Sequence, residues 1–187
     1  MGIFDPDRHD NLLNIVDLDQ LNEYEALGVI RAENYVLDLD IDFVFDTRLI
    51  LDVHVLVFGE LYDWAGKWRT QDTNIGILKE RVPYAAVEYA EQVNYFKNNI
   101  TSKDRLIECL SYTHHRYTQI HPFNNGNGRT ARLITDLISK TNGYQNIQLY
   151  VQDSGNSREI YKAALKAADN FDDSILKNLI ADQLRSL

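Results

Sequence analysis

Gln119-Ile120-His121-Pro122-Phe123-Asn124-Asn125-Gly126-Asn127-Gly128-Arg129-Thr130-Ala131-Arg132 is the stretch on which the reading of this chain turns. Two glycines bracket Asn127 just ahead of an apolar helical stripe through Ile134, Leu137 and Ile138. That composition suits a tight loop whose backbone N–H groups converge at a helix N-terminus, which is a ready anion site. Arg129 and Arg132 are three residues apart, so both face the same phosphate chain from the first helical turns. His121, just upstream, is the nearby residue able to take a proton near neutral pH. A base, a nest of N–H groups and two arginines make a phosphate-transfer constellation. Glycine-rich turns that merely cap helices are common, and paired arginines are usually solvated, so on the loop alone the two readings are evenly matched. The loop lacks the Gly-x-x-x-x-Gly-Lys-Ser/Thr spacing of a Walker A motif.

Outward from this loop, helical periodicity dominates. The strongest run is Ile50, Val53, His54, Val57, Phe58, Leu61, Trp64, four turns of i, i+3, i+4 spacing. Similar stripes run through Val87, Ala90, Val93, Phe96, through Leu106, Ile107, Leu110, Thr113, Tyr117, through Tyr161, Ala164, Leu165, Ala168, and through Ile175, Leu176, Leu179, Ile180, Leu184. A less regular helix is expected over 18–36. Pro6, Pro83 and Pro122 mark segment boundaries. Residues 65–83 carry no helical stripe, and Asn74 and Gly76 suit a turn between short extended pieces at 67–70 and 77–82. The expectation is an all-α domain with one small β-hairpin flap.

Composition narrows the function. The 187 residues carry a formal net charge of −9, from 28 acidic and 19 basic side chains. Such a surface repels nucleic-acid phosphates, so no nucleic-acid partner is expected and any anion site is local. No stretch approaches the roughly 20 apolar residues of a membrane span. The N-terminus shows no signal peptide, and position 6 is proline, which excludes a myristoylation site at Gly2. One cysteine, Cys109, excludes an internal disulfide framework, and a cytoplasmic location is expected. The sequon Asn99-Ile100-Thr101 is read as chance. His114, His115 and His121 lack the ligand spacing of a zinc site.

The string from His121 to Arg132 resembles the signature of the Fic family, His-Pro-Phe-x-(Asp/Glu)-Gly-Asn-Gly-Arg-x-x-Arg, at every defined position but one. The likeness extends to His54, Phe58, Leu61, Tyr62, Trp64, Ala65, Gly66 and Arg69, similar to the family's helix ending in a Trp-Ala-Gly-x-x-Arg turn. It extends also to Asn156, Arg158, Tyr161, Ala164 and Leu165, which resemble the helix closing the adenine pocket, and it covers roughly 45–170. It implies a Fic-type helical bundle over 45–187 with C-terminal helices, preceded by an N-terminal extension, 1–44, that holds a candidate regulatory helix.

The resemblance implies a protein adenylyltransferase that moves AMP from ATP to a Ser, Thr or Tyr hydroxyl of a target protein, with His121 as general base. Gly126, Asn127 and Gly128, the Asn127 side chain included, would hold the α- and β-phosphates, Arg129 the β-phosphate region and Arg132 the γ-phosphate; Arg158 and Tyr161 would contact adenine. Residues Thr70, Gln71, Asp72, Thr73, Asn74, Ile75, Gly76 and Ile77 stand where the family has its target-binding flap. The departure is Asn125, where the family has an acidic ligand to Mg²⁺; a neutral carbonyl binds a hard dication less well. The alternative reading is therefore a nucleotide-sensing or protein-binding module with weak or lost catalysis. Phosphorylating relatives usually carry Lys in place of the second loop glycine, so Gly128 favours AMP transfer. Many relatives carry an inhibitory Ser/Thr-x-x-x-Glu-Gly/Asn helix. Here Glu33 alone among the glutamates precedes Gly or Asn (Asn34), but Val29 stands where Ser or Thr belongs, and Glu23 is a weaker candidate. Self-inhibition through Glu33 and an antitoxin-like partner acting in trans both stay open.

Overall fold

A computed structural model describes residues 11–39, 42–149 and 156–187. Pro6 and the N-terminal tail read above lie outside the described residues. The described residues form seven α-helices: α1 (Leu18–Leu37), α2 (Thr47–Phe58), α3 (Val82–Asn98), α4 (Lys103–Ile120), α5 (Asn127–Thr141), α6 (Ser157–Ala168) and α7 (Ser174–Gln183). Three start on side-chain caps that satisfy otherwise orphaned first-turn N–H groups. Asp17 accepts from Gln20 N at 2.8 Å, Asp46 from Leu49 N at 2.8 Å, and Ser102 from Arg105 N at 3.2 Å.

The apolar stripes become the core. Leu106, Leu110 and Tyr117 on α4 meet Ile134, Leu137 and Ile138 on α5, all six essentially without solvent exposure. Helix α3 covers one side of α4, α1 lies across α2 and α5, and α6 and α7 pack together, with α7 also against α4. Among the described residues no helix is long and apolar enough to cross a membrane.

Helix α1 docks unusually close. A Cβ on Gly28 would stand 2.0 Å from the Val57 carbonyl oxygen of α2, so only glycine permits this crossing. The buried face of α1 is Leu21, Glu25, Gly28, Ala32 and Val36, a helical spacing with one carboxylate in it.

Three local expectations are corrected. Helix α2 stops at Phe58, and Leu61 and Trp64 belong to the turns beyond it, although Leu61 stays buried. Helix α3 turns Val82, Ala86, Tyr89, Ala90 and Val93 inward, which leaves Val87 49% exposed. The hairpin does not form: among the described residues the β-pairing is one isolated antiparallel bridge, Tyr144 to Ser186. Residues 67–78 are an irregular loop, followed by a 3-10 turn, Lys79–Arg81, that runs directly into α3. The Arg69 side chain takes the place of a ladder. It is fully buried and donates to the carbonyls of Gln71 at 2.9 Å and of Ile77, while the Asp72 carboxylate accepts from Lys79 N at 2.8 Å.

Candidate active site

The motif loop joins α4 to α5, and its shape follows from two left-handed residues. His121 caps α4 at φ 51°, and Gly126 caps the start of α5 at φ 76°. Gly126 must be glycine twice over, since a Cβ there would also stand 2.3 Å from the Phe58 ring. Between them, Phe123 is fully buried and stacks on the His54 ring, centroids 3.6 Å apart.

Hydrogen bonds hold the loop from three sides. Asn127 is 3% exposed and staples it internally: its Oδ1 accepts from Phe123 N at 2.9 Å and its Nδ2 donates to Phe123 O at 2.7 Å. The Asn127 side chain thus closes the loop with its carbonyl and one of its two amide N–H groups. His54 Nδ1 accepts from Gly66 N at 2.9 Å, which leaves Nε2 protonated to donate to the Asn125 carbonyl at 3.1 Å. Arg69 Nε donates to the His121 carbonyl at 2.7 Å, and Arg69 N to the Pro122 carbonyl at 2.9 Å. One arginine therefore ties the 67–78 loop to the backbone that aims His121.

The result is a cleft of about 260 Å³ lined by His121, the 124–129 loop and Arg132. Helix α5 begins there with no side-chain cap on its first N–H groups, and those groups together with two guanidiniums favour an anion. Through His121, Asn127 and Gly128 the cleft opens into a groove of about 870 Å³, walled by Gly76 and Ile77 on one side and Tyr161 and Leu165 on the other. Gly76 packs close against His121, since a Cβ there would lie 2.7 Å from the His121 Cβ. The Tyr161 hydroxyl lies 2.7 Å from His114 Nε2, and His114 Nδ1 lies 3.1 Å from Thr135 Oγ1. Of the predicted site residues, the structure gathers His121, Asn125, Gly126, Asn127, Gly128, Arg129 and Arg132 at the cleft and Tyr161 in the groove. Arg158 is exposed on α6 and lines neither. Glu33 is half-buried on α1, and its charge reaches Asp136 of α5.

Three contacts were not visible in the motif. Glu25 of α1 is buried and pairs with Arg129, and Tyr62 donates to the same carboxylate at 2.9 Å. The Arg129 guanidinium also lies over the Phe58 ring, 4.5 Å from its centroid. The available signal was an acid on the apolar stripe of α1, because a carboxylate on a buried face needs a partner.

Burial sets the proton affinities. His121 is pushed down to about 4 by desolvation first and by the Arg69 charge second; desolvation likewise takes His54 to about 4 and His114 to about 3. All three imidazoles are neutral at physiological pH, the state a base requires. Unfolded, they titrate near 6.5, so the unfolded chain takes up protons first and stability falls as pH drops from about 6.5 toward 4. Asp136, raised by burial to about 6, acts in the opposite sense and adds stability as pH falls through that value. Three groups outweigh one, and the urea midpoint is expected to be lower at about pH 4.5 than at pH 7. A higher midpoint in acid would contradict these buried neutral histidines.

The geometry defines a class: a helical domain that gathers a helix N-terminus, two arginines and a neutral histidine around one anion-favouring cleft. The profile of the Fic/DOC family matches residues 44–139. The chain is 33% identical over 157 residues to a protein adenylyltransferase, fic-1, of Caenorhabditis briggsae, covering 83% of this chain and 29% of that one. It is 31% identical over 140 residues to the protein adenylyltransferase Fic of Nematostella vectensis, covering 71% and 32%. In fold it is similar to the N-terminal Fic domain of a Bartonella quintana effector crystallised with ADP, at a TM-score of 0.73 and 17% identity, covering 95% and 90%. The chain belongs to the Fic/DOC family. It spans about a third of the length of these two curated relatives.

Proposed function

We propose that this chain is a protein adenylyltransferase that transfers AMP from ATP to a Ser, Thr or Tyr hydroxyl of a target protein. The observation that carries the proposal is the cleft itself: a neutral His121 at the rim of an anion site built from the α5 N-terminus, Arg129 and Arg132. The curated relatives are named for this activity, and the Bartonella quintana domain of similar fold binds ADP, which supports a nucleotide as the ligand.

In this mechanism His121 accepts the hydroxyl proton of the target. The oxygen attacks the α-phosphorus in line, the new P–O bond forms, and the bond to the β-phosphate oxygen breaks to release pyrophosphate. The chain contributes positioning and charge neutralisation rather than a covalent intermediate. Backbone N–H groups of Gly126, Asn127 and Gly128 hold α- and β-oxygens, Arg129 the β-phosphate region and Arg132 the γ-phosphate. Adenine occupies the groove beside Tyr161; Arg158, exposed on the same helix outside the groove lining, is the second adenine contact that the family likeness implies. The 70–77 loop aligns an extended target segment along its backbone. Glu33 stays the candidate for inhibition in cis, beside an antitoxin-like partner in trans. The domain division is an extension over 1–44 and a catalytic core over 45–187.

Mg²⁺ would enter with ATP, held mainly by phosphates and water. Among the described residues no cluster of three or more His, Cys, Asp or Glu forms a metal cage. The loop offers the neutral Asn125 Oδ1, which already accepts from Gly126 N at 2.7 Å. The site therefore fits a dication carried by substrate and only weakly held by protein; bound there, it would neutralise phosphate charge. Asn125→Asp is expected to raise AMP transfer roughly tenfold at limiting Mg²⁺, because one added charge at ~4 Å is worth about 1 kcal/mol per unit of ion charge even in bulk water. The gain should shrink as Mg²⁺ saturates. An unchanged Mg²⁺ dependence would remove position 125 from the metal. The neutral residue also favours a second reading, a nucleotide-sensing module without catalysis. Peptide mapping of lysate proteins after incubation with ATP separates the two, since an enzyme leaves AMP on a hydroxyl and a sensor leaves nothing.

A further inference from the structure

Glu25 lies on α1, 104 residues before the motif arginine it contacts, and no part of the motif calls for it. It is 6% exposed, so its carboxylate has left bulk water and must be satisfied locally. Its partners include the Tyr62 hydroxyl at 2.9 Å and the Arg129 guanidinium. Tyr62 is itself fixed, stacked on Trp64 with centroids 4.5 Å apart. Arg129 is constrained twice, on one edge by Glu25 and on one face by the Phe58 ring. An arginine side chain has several rotatable bonds, and freezing them at the moment of binding weakens that binding. Here that cost is met on folding.

Gly28 gives an independent reason to read the contact as built. It stands three residues after Glu25 on the same face, and its missing side chain lets α1 approach the α2 backbone closely enough for Glu25 to reach Arg129. Any larger residue would lift the helix at this point.

We infer that Glu25, braced by Tyr62, is a positioning residue that holds the Arg129 guanidinium at the phosphate cleft before a nucleotide arrives. The inference rests on the reading of the cleft as a nucleotide site. It sets two opposing effects against each other. The Glu25 charge repels a phosphate chain through space, while its grip on Arg129 spares the nucleotide the cost of ordering that side chain.

Glu25→Ala removes both effects; Glu25→Gln removes the charge and one of the two acceptor oxygens, since Tyr62 and Arg129 use different ones, but its amide oxygen still accepts from Arg129 while the Tyr62 hydroxyl can turn to accept from the amide N–H. If ordering dominates, Glu25→Ala should raise KM for ATP about tenfold with kcat changed less than about twofold, and Glu25→Gln should match wild type or bind more tightly. Tighter ATP in both variants would overturn the inference, because Glu25 would then be withholding Arg129. Unchanged KM in both, with only a lower melting temperature, would also overturn it by making the pair purely structural. The Arg129 Nε–Hε order parameter in nucleotide-free protein is expected to fall in Glu25→Ala and to persist in Glu25→Gln. That readout decides the role of Glu25 even if ATP fails to bind wild type, an outcome that would sink the nucleotide reading alone.

Discussion

Replacing His121 with alanine is expected to lower AMP transfer by about 10²- to 10⁴-fold, the usual contribution of a positioned general base, while ATP affinity stays near wild type. The separation follows from where His121 stands. It lies on the rim shared by the phosphate cleft and the groove, whereas the anion-binding donors come from the α5 N-terminus and the arginines. The pH profile adds a second handle. With His121 held at about 4 by burial and by Arg69, the acid limb of kcat/KM should fall near that value rather than near 6.5. Wild-type transfer by His121→Ala would remove the base from the mechanism.

Gly126→Ala is the second large effect. The added methyl would enter a left-handed residue at φ 76° and stand 2.3 Å from the Phe58 ring. Left-handed backbone costs an alanine roughly 1–2 kcal/mol, and the overlap with a buried ring adds roughly 1–3 more. Phe58 also underlies Arg129, so the ring cannot yield without moving that guanidinium. The expected result is a loss of some 2–5 kcal/mol of stability in urea unfolding, with ATP binding lost wherever the variant stays folded. Gly143→Ala is the control: its φ is also positive, at 81°, but nothing lies within 4 Å of its Cβ, so only the backbone cost applies.

Much of this was legible in the residues. The helical stripes of α4 and α5 became the core because their apolar spacing leaves one face to bury, and the 121–132 string converged on one cleft because its glycines permit the turns it needs. The hairpin was not legible. Asn74 and Gly76 mark a turn, but whether the flanks pair is decided by Arg69, which takes up the carbonyls a partner strand would have used. The run from Ile50 to Trp64 keeps helical spacing past the real helix end at Phe58, because Leu61 is buried from a turn as well as it would be from a helix. Glu25 could not be read from the motif, because its role depends on how closely α1 crosses α2, a matter of Gly28 and not of any functional signature.

Parallel labelling of lysate protein with ATP labelled at the α- or the γ-phosphorus separates AMP transfer from phosphate transfer at this cleft. AMP transfer leaves label on protein from the α-position alone, and that label is expected to be lost in His121→Ala. Label from the γ-position, or α-label that survives in His121→Ala, would contradict it.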